Sequence, residues 1–205
     1  MKYIILGSAI LIALIILIIA TRRRDRGAQG EKIVKAELEK LHLSPKTLFH
    51  DYYLIPHENA SVQIDHILVC KKGVVVIETK NLSGEIYGNE ADENWKQVLA
   101  RGRITHEHYN PVKQNKTHVR MLSKAVGRNV KYTPFVVFVQ NNTDHVSAPE
   151  AIRLSDLNTK INDLPDVMGK SAVKEIADIL KDLNARGRVS HRKHVKNIKK
   201  RHKRR

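Results

Sequence analysis

The chain opens with a run of apolar residues from Tyr3 to Ala20, interrupted only by Gly7 and Ser8. A helix of roughly 18 residues nearly crosses the hydrocarbon core of a bilayer, which is about 30 Å thick. Backbone groups in lipid must bond internally, so residues 3–21 are predicted to form a transmembrane helix. The alternatives are a buried core helix and a cleaved signal peptide, but a signal peptide carries its positive charge before the apolar run.

Basic residues follow this apolar run. Four arginines lie between positions 22 and 26, in a predicted juxtamembrane linker at 22–29, whereas only Lys2 and the amino terminus precede the run. The positive-inside rule therefore predicts a single-pass protein of the cell membrane with a cytoplasmic C-terminal part. The single cysteine, Cys70, excludes an internal disulfide and agrees with a reducing compartment.

Beyond residue 30, apolar residues recur with the period of a helix in some segments and fill short strand-like runs in others. These patterns predict helices at 30–41, 111–126, near Ser155 and at 171–183, and strands at 47–55, 61–70, 74–79, 85–87 and 132–139. The run at 74–79 is apolar on both faces, which is typical of a central strand covered twice. This order of elements predicts an α/β fold with a central mixed sheet flanked by helices.

Basic charge is concentrated at the two ends of the chain. Of the net charge of +16, residues 186–205 contribute +11, whereas residues 27–185 carry 21 Lys and Arg against 20 Asp and Glu. The tail has too few apolar residues to bury a core, so it is predicted to be disordered. It can neutralise phosphates or lie on an anionic inner leaflet, and both partners stay open. The predicted nucleic-acid contacts in this tail are Arg192, Lys193, Lys199, Lys200, Arg201 and Arg204.

Three charged residues are predicted to converge near the hydrophobic sheet, at the end of one strand and on the strand that pairs with it. Glu78 and Lys80 point to the same face of one strand, and Asp65 lies on the strand that pairs with it. Two carboxylates that lie this close together repel each other, unless one takes up a proton or a cation binds between them. A hard divalent cation accepts such oxygen ligands and can activate water for attack on a phosphate. Spacing alone also allows a plain ion pair between Glu78 and Lys80.

Further motifs surround these residues in a fixed order along the chain: Gly30-Glu31, Gln63-Ile64-Asp65-His66, Val76-Ile77-Glu78-Thr79-Lys80-Asn81, Trp95, and Asn110-Pro111 with Gln114. Together they resemble the nuclease-related domain (NERD) family of the PD-(D/E)XK, restriction-endonuclease-like superfamily. The resemblance covers residues 27–139 and implies a restriction-endonuclease-like core that cleaves nucleic-acid backbones. One departure is that Ile64 stands where the superfamily usually has proline.

The resemblance also implies the ligands of a catalytic Mg²⁺ or Mn²⁺. By position, Asp65 and Glu78 would bind the cation, together with the carbonyl oxygen of Thr79. Glu31 would approach it from the first helix. Glu37 flanks the same apolar stripe and is a rival for that role, although the Gly-Glu motif favours Glu31.

The catalytic set implied by the resemblance comprises Asp65, Glu78, Lys80 and Gln114. Lys80 would orient the attacking water and stabilise developing charge. Gln114 would hold the site or the nucleic acid, and its alternative is an ordinary surface amide. Weaker candidates for chemistry are a His106–His108 pair, a P-loop-like Gly-Lys-Ser at 169–171 and base stacking by Trp95, which is otherwise a core residue.

The resulting hypothesis is a membrane-anchored, divalent-cation-dependent nuclease with DNA preferred over RNA. Its predicted parts are the anchor at 3–21, the linker at 22–29, the NERD-like domain at 30–140, a C-terminal extension with an amphipathic helix at 141–185, and the basic tail at 186–205. The alternatives are a catalytically inactive, membrane-tethered nucleic-acid-binding module that uses the tail, and a scaffold for protein contacts.

Overall fold

The computed structural model describes residues 25–57 and 60–202, with side chains described for 25–55 and 62–189. The predicted transmembrane helix at 3–21 therefore lies outside the described residues. Within the described part of the chain, every helix is too short or too polar to cross a bilayer.

Helices and strands alternate along the described chain. The helices are α1 at 25–39, α2 at Pro111–Val126, α3 at Leu157–Asn162 after a 3-10 turn at Leu154–Asp156, and α4 at Lys170–His202. The strands are β1 at Lys46–His57, β2 at Ala60–Cys70, β3 at Gly73–Lys80, β4 at Glu85–Asn89, β5 at Asn94–Leu99, β6 at Ile104–Tyr109, β7 at Tyr132–Phe138, β8 at His145–Ser147 and β9 at Ala151–Arg153. The prediction of an α/β fold is confirmed, whereas β5, β6, β8 and β9 were not predicted.

Two sheets form the framework. The larger has the strand order β1-β2-β3-β7-β9, in which β1, β2 and β3 pair antiparallel and β3, β7 and β9 pair parallel. It is therefore a mixed sheet, as predicted. The smaller sheet has the order β6-β5-β4-β8 and follows β3 in the chain. Because β4 begins soon after β3 ends, this second sheet lies beside the end of the central strand.

The central strand β3 is covered on both faces, as its apolar pattern predicts. On one face, Val75 and Ile77 belong to the same apolar cluster as Val34 and Leu38 of α1. On the other face, Val74 and Val76 cluster with Leu122 of α2 and Leu180 of α4. Burying one such side chain stabilises the fold by roughly 1.5–3 kcal/mol. The strand that carries the candidate motif is therefore held from both sides.

The last helix is longer than the sequence predicts. α4 runs to His202, whereas a helix ending at 183 and a disordered tail were expected. Gly187 lies so close to the backbone of Tyr53 in β1 that a Cβ would not fit. Arg188 donates to the carbonyl oxygen of Asp51 at 2.7 Å, and its guanidinium lies 5.5 Å from the centre of the Tyr53 ring. These contacts continue the helix beyond its apolar stripe, and Lys and Arg are good helix formers.

Asn110 fixes the start of α2. It is fully buried, and its Oδ1 accepts hydrogen bonds from the backbone N–H groups of Val112 at 2.9 Å and Lys113 at 3.4 Å. Its Nδ2 donates to three carbonyl oxygens, that of Asn89 at the end of β4 and those of Glu90 and Asp92 in the following loop. The same side chain therefore caps the helix and ties it to the second sheet.

We expect Asn110→Ala to lower the free energy of unfolding by about 1–3 kcal/mol, because three carbonyl oxygens and the helix cap lose the partner that this fully buried side chain supplies. Chemical denaturation monitored by circular dichroism measures this loss. The matched control is Asn94→Ala, at an exposed asparagine of β5, which should change stability by less than about 0.5 kcal/mol. Equal effects of the two substitutions would contradict the role assigned to Asn110.

Candidate active site

The end of β3 presents alternate residues to different helices. Val74 and Val76 pack towards α2 and α4, and Glu78 and Lys80 continue that face of the strand. Thr79 points to the opposite face, towards α1. The two charged residues of the predicted motif therefore lie beneath the first turns of α2.

A closed ring of hydrogen bonds joins one carboxylate oxygen of Glu78, a residue only 5% exposed, to Lys80 and Gln114. Glu78 Oε1 accepts from Lys80 Nζ at 2.8 Å and from Gln114 Nε2 at 2.8 Å. Lys80 Nζ also donates to Gln114 Oε1 at 3.2 Å. A buried carboxylate needs a nearby charge and hydrogen-bond donors, and this ring supplies both. The structure thus brings together three of the predicted catalytic residues and places Gln114 within the site.

His118 adds a neighbour that sequence analysis did not assign to the site. It lies one helical turn after Gln114 in α2, is 8% exposed, and places Nδ1 3.6 Å from Glu78 Oε2. That distance is too long for a hydrogen bond. Burial lowers the pKa of His118, and the charge of Glu78 opposes this shift. The spacing of four residues from Gln114 was the signal that could have identified it.

Asp65 reaches the site from the neighbouring strand. The antiparallel pairing of β2 with β3 ends at the pair His66 and Ile77. One residue further, Asp65 Oδ2 accepts the backbone N–H of Thr79 at 2.8 Å, so a side chain replaces the missing strand partner. The N–H and C=O groups of a strand residue point to the same side, and the Thr79 carbonyl therefore faces the side of Asp65.

Glu31 of α1 is electrostatically coupled to the same site. Burial raises the pKa of Glu31, followed by the negative charges of Asp51 and Glu78. The preceding residue, Gly30, allows α1 to approach the end of β3, because a Cβ there would lie 2.7 Å from the Cβ of Asn81. This close approach gives a physical reason for glycine in the predicted Gly-Glu motif.

Glu37, the rival of Glu31, lies towards the other end of α1. Its Oε1 accepts from Asn158 Nδ2 of α3 at 2.7 Å, and its Oε2 pairs with Lys40 at 2.8 Å. Both carboxylate oxygens are therefore engaged in contacts near the C-terminal end of the helix. The structure thus favours Glu31 for an approach to Glu78.

The site carries more negative charge than Lys80 balances. Burial raises the pKa of Asp65, and the charges of Glu78 and Glu31 raise it further, against the opposing effects of the Thr79 N–H and Lys80. A hard divalent cation fits such a surplus, with oxygen donors from two carboxylates and a carbonyl. Among the described residues, no three His, Cys, Asp or Glu side chains group tightly enough to hold a metal ion. A cation here would therefore depend on the carbonyl oxygen and on water as further ligands.

The remaining candidates lie elsewhere. Trp95 is 2% exposed and stacks on Phe138 with ring centres 6.1 Å apart, so it is a core residue. His108 Nε2 lies 3.0 Å from Gln97 Oε1, and His106 lies two residues before it in β6. The Gly-Lys-Ser at 169–171 leads into α4 without a preceding strand.

The backbone of α4 carries five of the six predicted nucleic-acid contacts, whose side chains are not described, and Arg204 lies outside the described residues.

Comparisons with known proteins point to one family. The family model of the nuclease-related domain matches residues 26–139, more than half of the chain. An uncharacterized protein of Bacillus anthracis is 28% identical over 177 residues, which cover 83% of this chain and 82% of that protein. No solved structure matches the chain significantly.

We expect Asp65→Asn to raise the free energy of unfolding by about 1 kcal/mol in buffer containing EDTA, because it removes a buried, repelled carboxylate. Asparagine can still accept the Thr79 N–H. The folded-state pKa of Asp65 is raised, so its stabilising contribution is complete below the unfolded-state pKa and is lost as pH rises through the folded-state pKa. The advantage of the variant should therefore grow from acid to neutral and alkaline pH.

Thermal and urea unfolding between about pH 5 and pH 9 measure this difference. The matched control is Asp92→Asn, because Asp92 also accepts a backbone N–H, that of Asn89 at 2.9 Å, but in an exposed loop. If Asp65→Asn lowers the stability at every pH, the Asp65 carboxylate stabilises the fold. That result would contradict the inference that the site carries surplus negative charge.

Proposed function

The chain belongs to the nuclease-related domain family, and on that premise we propose that it hydrolyses phosphodiester bonds of nucleic acid with the help of a divalent cation. The proposal places the reaction at the end of β3, where Asp65, Glu78 and Lys80 converge. The observation that carries it is the Glu78 carboxylate, buried and bonded to Lys80 and Gln114 beside the repelled carboxylate of Asp65.

Each residue of the site has a distinct part in this proposal. Asp65, Glu78 and the Thr79 carbonyl would hold Mg²⁺ or Mn²⁺ together with water, and Glu31 would approach the cation from α1. When bound, the cation would supply a water of lowered pKa and would neutralise phosphate charge. Lys80 would place its ammonium next to the scissile phosphate, where it orients water and stabilises developing negative charge. Gln114 holds both Lys80 and Glu78, so it acts as a positioning residue.

The two ends of the chain support a location for this activity at the cell membrane. The apolar run at 3–20, followed by arginines, supports a single membrane anchor with a cytoplasmic catalytic domain. Since residues 27–185 carry nearly balanced charge, the basic ends would supply the long-range attraction to nucleic acid or to anionic lipid. The anchor would then confine cleavage to nucleic acid, DNA before RNA, at the inner face of the membrane.

We expect the full-length protein to cleave single- or double-stranded DNA or RNA only when Mg²⁺ or Mn²⁺ is present. Lys80→Ala should reduce turnover by about 100-fold or more, because a preorganised positive charge is lost from the transition state. The same variant should still gain thermal stability from the cation, since its carboxylates remain. Asp65→Asn should lose both the cleavage and the cation-dependent gain.

The matched control is Lys181→Ala, at an exposed lysine of α4 paired with Asp178, which should cleave at the wild-type rate. Gel assays of labelled oligonucleotides measure the cleavage, and differential scanning fluorimetry with and without the cation measures the stabilisation. Cleavage that survives both Asp65→Asn and Lys80→Ala would exclude this site.

A nucleic-acid-binding module without catalysis is the second candidate, favoured by the nine Lys and Arg between positions 191 and 205. We expect deletion of 191–205 to weaken nucleic-acid binding and to flatten its salt dependence, because fewer counterions are released. This deletion retains Arg188 and its contact with Asp51. Fluorescence anisotropy over a salt series measures the slope.

The control for this deletion keeps the chain length and replaces the nine basic residues of 191–205 with glutamine. If charge is responsible, both proteins should lose the same part of the salt dependence. Loss of binding in both, combined with unchanged behaviour of Asp65→Asn and Lys80→Ala, would favour the binding module over the nuclease. An unchanged salt slope in both would exclude the tail as a phosphate-binding segment.

A further inference from the structure

A cavity of about 110 Å³ lies between the second sheet and the end of β3. Most of its wall is apolar and is formed by Leu82, Ile86, Trp95, Pro111 and Phe138. Trp95 and Phe138 are at most 2% exposed and stack on each other, so they form a fixed wall. An apolar site with aromatic walls suits a flat ligand that has a hydrophobic face.

The size of the cavity restricts that ligand. Apolar cavities of roughly 150 Å³ take up benzene, and this one is somewhat smaller at about 110 Å³ but opens towards its rim. The enclosed volume therefore takes up part of a single six-membered ring, with the remainder at the open side, whereas a fused double ring would protrude further. Among the parts of a nucleic acid, this favours a pyrimidine base.

The cavity is continuous with the candidate active site through Lys80. The side chain of Lys80 lines the cavity, while its Nζ lies 2.8 Å from Glu78 Oε1 and 3.2 Å from Gln114 Oε1. Pro111, another wall residue, begins the helix whose next turn carries Gln114. A ring in the cavity and a phosphate at the lysine would thus be neighbours, as the base and phosphate of one nucleotide are.

One further flat ring faces the cavity. His108 lines the cavity and pairs with Trp95 across the two strands, so both rings lie on the same face of the second sheet. The side chains of Lys96 and Tyr109 alternate with these residues and lie on the exposed face of the sheet. An imidazole ring can stack on a base that enters the cavity.

We propose that this cavity binds a pyrimidine base of an unpaired strand, next to the phosphate handled by Lys80. The inference rests on the proposed function and names its substrate class. A base in a closed duplex faces its partner and cannot enter a side pocket without being unpaired. The protein would therefore act on single-stranded or frayed nucleic acid in preference to intact duplex.

Trp95 offers a direct measurement of this binding, because it is the only tryptophan of the chain. The full-length protein in EDTA is titrated with oligonucleotides of about ten nucleotides, a length that spans a typical single-strand site. Oligo-dT should quench the tryptophan fluorescence at several-fold lower concentration than oligo-dA. A closed hairpin duplex and an abasic strand of the same length should bind by charge without quenching.

Two variants and a control test the assignment to this cavity. His108→Ala should weaken oligo-dT binding roughly tenfold, the scale of one lost stacking contact. Leu82→Phe should fill the cavity and abolish the quenching, and circular dichroism shows that each variant is folded. The control is Tyr87→Ala, at an exposed tyrosine of the same sheet that stacks on His145, and it should match the wild type.

Equal quenching by the duplex or by the abasic strand would overturn the proposal, because a backbone contact alone would then explain the signal. Wild-type behaviour of both His108→Ala and Leu82→Phe would overturn it as well. The fluorescence does not require turnover. A protein without nuclease activity that still shows base-dependent quenching would therefore contradict the proposed function but support base binding in the cavity. A nuclease that cleaves duplex and single strands equally would support the proposed function but contradict the preference for unpaired strands inferred from the cavity.

Discussion

The burial of the Glu78 carboxylate is the constraint on which the candidate site depends. A charge that is 5% exposed at the end of an apolar strand is tolerated only with close compensation. Gln114 supplies part of it from α2, so α2 must be held in register with β3. Asn115 provides that register, because its Nδ2 donates to the carbonyl oxygens of Val76 in β3 and Phe135 in β7, each at 2.9 Å.

The same site also contains charge that the fold does not compensate. Lys80 and the amide of Gln114 are committed to Glu78, whereas Asp65 has only the backbone N–H of Thr79 as its hydrogen-bond donor in the described structure. Uncompensated negative charge lowers the stability of the folded protein. Proteins retain such features mainly at functional sites, where a ligand completes the arrangement. The surplus negative charge at Asp65 is therefore better explained by the binding of a ligand than by a structural ion pair.

Sequence patterns predicted the parts of the fold in which burial and hydrophobicity coincide. The apolar run of β3 and the helical stripe of α2 gave the central strand and the helix beside it, and with them the positions of Asp65, Glu78 and Lys80. Strands β5 and β6 were missed because their inward positions include polar residues such as Gln97 and His108, which obscure the alternation. The contacts of Arg188 that extend α4 join distant parts of the chain, and local pattern does not encode them.

The missed strands have a consequence for how such a site would choose its substrate. The ring around Glu78 is built from β3 and α2, whereas most of the cavity wall beyond Lys80 comes from the second sheet and its contact with Phe138. Chemistry and base recognition would then reside on different layers, joined through one lysine side chain. Because the second sheet supplies no partner to Glu78 in the described structure, its residues can change without exposing the buried charge. A fold organised in this way can keep one cleavage chemistry while the shape of the adjoining cavity sets which strands are accepted.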